Sequence, residues 1–90
     1  MLLFELMESA HEYLKTPALA KLAPLAKLIW LYIAVAGEDE YSARDLEQQL
    51  GVSYLAAYKN MTILIEQQLL LEVIPAAGSR GATLRALEPQ

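Results

Sequence analysis

Cysteine is absent from these 90 residues, so neither a disulfide framework nor a thiolate metal site can be built. A reducing, cytoplasmic location is the expectation. Histidine occurs once, as His11, and its neighbours Glu8 and Glu12 supply too few nitrogen or sulfur donors for a protein metal site. No Ser–His–acid set, phosphate-cradling glycine loop or pair of buried carboxylates can be assembled either. The chain is therefore not expected to be an enzyme, and no metal or cofactor is expected. Long apolar runs are also missing. The longest, Leu28 to Ala36, falls far short of the ~20 residues that cross a bilayer. The leading MLLFELMES is acidic where a secretory leader is basic, so neither a leader nor a membrane partner is expected.

A basic excess is missing too. The net charge is −4, against the positive footprint that nucleic-acid binding normally leaves. The deficit is uneven. Residues 1–40 carry −3, residues 41–87 carry zero, and Glu88 supplies the rest. Within the neutral part, Arg44, Lys59, Arg80 and Arg85 are the cations.

What is present is apolar content, 56% of the chain. One domain of this length hides about 60–65% of the surface its unfolded chain exposes, so part of that content is expected at a subunit or partner interface. Residues 2–14 have helical periodicity, with Leu3, Met7, Ala10 and Leu14 in one stripe widened by Leu6 and Tyr13. Thr16-Pro17 and Pro24 each read as helix starts with proline at the first position. From Pro24 to Ala36 the pattern is apolar nearly all round, as in a central helix, and Gly37 closes it. Glu38-Asp39-Glu40 reads as a solvated loop, and Tyr41 as a short strand.

The most informative stretch is Ser42 to Leu70. Ser42 with Asp45 forms a capping box, Leu46 and Leu50 make one apolar stripe, and Gly51 supplies a left-handed stop. Val52 plugs the turn and Ser53 caps a second helix from Tyr54 to about Gln68. Two helices joined by so short a turn read as a helix-turn-helix, whose second helix is offered to the DNA major groove. Leu69 to Ile74 and Ala82 to Leu87 then read as two strands, and Pro75 to Gly81 as the turn between them.

On DLEQQLGVS, on the run Ala57, Met61, Leu64, Leu69, and on GSRGATLRAL, the chain resembles the winged helix-turn-helix regulators of the MarR-like and PadR-like kind, over roughly residues 24–87. The resemblance implies a mainly α fold with a small β-hairpin: a three-helix core plus wing over 24–90, and a helical extension over 1–23 for capping or dimerisation. It implies sequence-specific binding of double-stranded DNA by a dimeric transcriptional regulator or a plasmid- or phage-type control protein. Helices with these roles make Ser53, Tyr54, Tyr58, Lys59 and Thr62 the outward face of the reading helix. Arg80 becomes a wing-tip cation for the minor groove, and Arg44 and Arg85 phosphate contacts. A homodimer would be built on Leu3, Met7, Ala10 and Leu14. The alternative is a winged-helix protein-interaction module, an adaptor within a larger complex. Low basic charge and apolar Leu55, Ile63 and Ile65 on the reading helix favour it.

Overall fold

A computed structural model describes residues 15–89. The stripe Leu3, Met7, Ala10, Leu14 and the His11 cluster lie outside the described residues. Helix α1, Pro17–Ala20, and helix α2, Pro24–Ala36, both start on a proline, whose ring presets the helical φ where no amide partner is needed. Thr16 precedes α1 in extended conformation, but its hydroxyl makes no capping bond. Gly37, at φ 94°, ends α2.

Strand β1, Asp39–Tyr41, follows. It takes in Asp39 and Glu40, against the loop expected from their charge. Acidic residues are poor strand formers, and here the pairing partner overrides that preference. Helix α3, Ala43–Leu50, and helix α4, Tyr54–Glu66, are joined by the three-residue turn at Gly51. Helix α4 stops short of the expected Gln68: Gln67 is its C-cap, and Gln68 turns left-handed at φ 59°. Strands β2, Leu70–Ile74, and β3, Ala82–Ala86, complete a three-stranded antiparallel sheet in the order β1-β3-β2.

Alternation along β3 explains how sheet and helices join. Ala82 and Leu84 are buried against the helices, while Arg85 faces outward. The core combines Leu19, Ile29, Trp30 and Ile33 with Leu46, Ala57, Leu64, Leu69 and Leu84. Leu19 sits in the stretch read as an extension, yet it is fully buried. Val52 packs against the core from the turn, as its position requires. The Trp30 indole N–H donates to the Leu87 carbonyl at 3.2 Å, so this aromatic is core and fastens the chain beyond β3. Tyr32 meets Tyr41 edge-on, ring centroids 6.2 Å apart. The architecture is a small α/β domain in which helices predominate.

Candidate nucleic-acid interface

The geometry of the face begins with two caps. The Ser42 hydroxyl accepts from the Asp45 amide at 3.0 Å, and the Asp45 carboxylate accepts from the Ser42 amide at 3.0 Å. This reciprocal box fixes the start of α3 and exposes Arg44 in its first turn. Asp45 is thereby occupied with backbone, not with its neighbour Arg44. Gly51, at φ 69°, then reverses the chain. Ser53 accepts from the Ala56 amide at 3.2 Å and starts α4.

Helix α4 turns Ala57, Met61 and Leu64 inward. That leaves Tyr54, Leu55, Tyr58, Lys59 and Thr62 exposed on the other side. Tyr58 is 61% exposed and Tyr54 44%, one helical turn apart. Thr62 donates its hydroxyl to the Tyr58 carbonyl at 3.0 Å. Asn60 points sideways, its amide donating to the Ala56 carbonyl at 2.8 Å. Of the three apolar residues expected to lack cover, Ile63 is half-buried and Ile65 packs against the core, whereas Leu55 is 76% exposed.

The β2–β3 connection folds up beside this helix. Ala77 and Arg80 exchange backbone bonds of 3.2 and 2.9 Å around Gly78-Ser79, and Gly78, at φ 58°, takes the first central position, where a type II′ turn needs glycine. The tip is therefore Gly78-Ser79. Arg80 lies one residue behind it, and its guanidinium donates to the Pro75 carbonyl at 3.1 Å across its own loop. Two contacts tie the loop's base to β1. The Gly81 amide donates to the Glu40 carboxylate at 3.1 Å, and Gly81 lies directly against the Tyr41 backbone.

Between α4 and this hairpin runs a groove of about 650 Å³. Its lining brings together Arg44, Tyr54, Tyr58, Thr62 and Arg80, five of the eight residues singled out as DNA contacts. Ser53 accepts the capping bond, and both it and Lys59 are exposed outside the lining. Arg85 lies apart, on the outer face of the sheet, paired with Glu38 at 2.6 Å. Ser42, Ser79 and Glu72, none of them expected among the DNA contacts, also line the groove. For Glu72 a signal existed: strand alternation places it with buried Leu70 on the side of the sheet that faces the helices. Among the described lining residues, two arginines stand against this one carboxylate, a local charge opposite in sign to that of the whole chain.

Elsewhere the face is different in kind. A second, shallower depression of about 850 Å³, where α4 ends beside β2, carries Glu72 and Glu88 and no cation among the described residues. Strand β2 is a sheet edge with a bulge at Val73, and Leu71, Val73 and Ile74 are exposed along it. Among the described residues no group of three or more acidic or imidazole side chains is placed to hold a metal ion, and no helix is long and apolar enough to cross a membrane. Comparison with protein-family models, with curated proteins and with solved structures returns no match.

Proposed function

We propose that the chain is a winged helix-turn-helix domain that binds double-stranded DNA sequence-specifically, as the DNA-binding unit of a homodimeric regulator of transcription. In this reading α4 enters the major groove, Arg80 and the hairpin lie along the adjacent minor groove, and Arg44 holds a phosphate. The observation that carries it is the convergence of Arg44, Tyr54, Tyr58, Thr62 and Arg80 on one groove between helix and hairpin. Lys59 extends the same face beyond the groove. Arg85 joins only by exchanging Glu38 for a phosphate. The pair is solvent-exposed, and such pairs contribute roughly 0–1 kcal/mol, so a phosphate can displace the carboxylate. Two copies, paired through Leu3, Met7, Ala10 and Leu14, would double the cations and set the two helices one DNA turn apart.

The test is selection of tight binders from random-sequence duplex DNA by the purified protein across a salt series. Enrichment of a short palindromic site, with affinity falling as salt rises, is the expected result. No binding at low salt by a folded sample would overturn the reading in favour of a second one. That second reading is a protein-interaction module, and the observation favouring it is the exposure of Leu55 on α4 and of Leu71, Val73 and Ile74 on the β2 edge.

A further inference from the structure

We infer that the groove between α4 and the hairpin is a binding site for an unpaired nucleobase, so that the protein prefers DNA with a single-stranded or extruded nucleotide over fully paired duplex. The inference rests on the reading that this face binds DNA, and adds the form of DNA it takes.

Three observations point to it. The first is the chemistry of the helix wall. A residue that reads a paired base from the major groove offers its edge a matched pair of groups, a donor and an acceptor in asparagine and glutamine, two donors in arginine. Helix α4 offers the groove two tyrosines and Thr62, whose hydroxyl donates to the Tyr58 carbonyl. The asset of the tyrosines is a flat, apolar ring, which stacks on the face of a base, and inside a duplex that face is covered by the neighbouring bases until the base leaves the stack. Asn60, the one side chain on α4 suited to an adenine edge, is turned away and spends its amide on the Ala56 carbonyl.

The second is shape. Tyr54 and Tyr58 stand one turn apart on one wall, and the hairpin residues Ser79 and Arg80 form the other. The groove, open to solvent along its length, has a volume of about 650 Å³, within the ~300–1,000 Å³ range of small-molecule sites. A paired base, held between its neighbours in the stack, cannot enter such a space.

The third is charge. The groove lining itself holds two arginines, while Lys59 and Arg85 lie outside it. One strand crossing the groove brings one or two phosphates, which Arg44 and Arg80 match. Arg80 keeps most of its five N–H donors, since the bond to Pro75 occupies Nη2 alone. Glu72, on β2, repels phosphate from its own part of the groove.

The experiment measures affinity of the full chain for three labelled DNAs: a blunt duplex, the same duplex with a single-stranded tail, and the tail strand alone. The tailed duplex and the free strand are expected to bind more tightly than the blunt duplex. Tyr58→Ala is expected to weaken binding to the tailed duplex by about five- to a hundredfold, the range for loss of one base–aromatic stack, and by a smaller factor to the blunt one. Tyr58→Phe, which keeps the ring, restores the preference. The side chain is exposed, so neither variant threatens the fold. Equal affinity for blunt and tailed duplex, or an equal loss on both in Tyr58→Ala, would overturn the inference and leave duplex binding standing. Absence of binding to all three would remove both.

Discussion

A methyl group at position 81 would lie 2.5 Å from the Tyr41 carbonyl oxygen and 2.7 Å from its carbon, closer than real side chains approach backbone. Glycine is needed there because two backbones touch where the hairpin joins β1, and Gly81→Ala must push them apart. Overpacking of this kind costs about 1–3 kcal/mol, so a denaturant melt should show that loss; an unchanged midpoint would mean that the junction yields freely. Tyr41, on the other side of the contact, donates its hydroxyl to the Gly37 carbonyl. Burial, and after it the charge of Asp39 and the neighbouring Tyr32, push its phenol above the ordinary value of 10.0. The unfolded chain therefore gives up this proton first as pH rises. Stability from the group is complete below pH 10.0 and is lost as pH climbs through the raised folded value. Tyr41→Phe is expected to lose about 0.5–1.5 kcal/mol at neutral pH and to soften the alkaline decline, read from unfolding curves across pH 8–12.

The elements divide by how far apart their determinants lie in the chain. The start and end of α3 depend on residues within one turn of each other, and Ser42, Asp45 and Gly51 were legible from sequence for that reason. The same holds for Ser53 and α4. Ser42→Ala is expected to cost about 0.5–2 kcal/mol, and Ser53→Ala less, because Ser42 belongs to a reciprocal pair and Ser53 makes a single exposed bond. Equal losses in the two variants would show that the reciprocal bond adds nothing. Strand β1 was only half legible. Tyr41 has strand preference, but Asp39 and Glu40 are extended because β3 pairs with them from more than forty residues away. The Arg85–Glu38 pair spans 47 residues and left no local trace. The groove itself depends on how the hairpin leans over α4. Periodicity therefore indicated which side of α4 was free, and did not indicate that Glu72 would be part of the same surface.

At the scale of the whole molecule, the charge is negative and the proposed binding face is not, so the contribution of each cation should be measurable singly. Arg80→Ala is expected to weaken duplex binding and to reduce the salt slope by about 0.9, the value for one phosphate contact. An unchanged slope would leave Arg80 as a loop residue satisfied by Pro75. The order of the sheet has a further consequence, for the time course of folding. Strand β3 lies between β1 and β2, so the last strand in the chain is the one that closes the sheet. The α3–α4 pair and the β2–β3 hairpin can each form from neighbouring residues within microseconds, whereas bringing β3 to β1 closes a loop of 41 residues, from Glu40 to Gly81. The Trp30–Leu87 bond, between residues 57 apart in the chain, needs little further closure once β3 has met β1. The surface that carries the proposed site thus depends on contacts distant in the chain, and it is expected to acquire its shape after the α3–α4 pair.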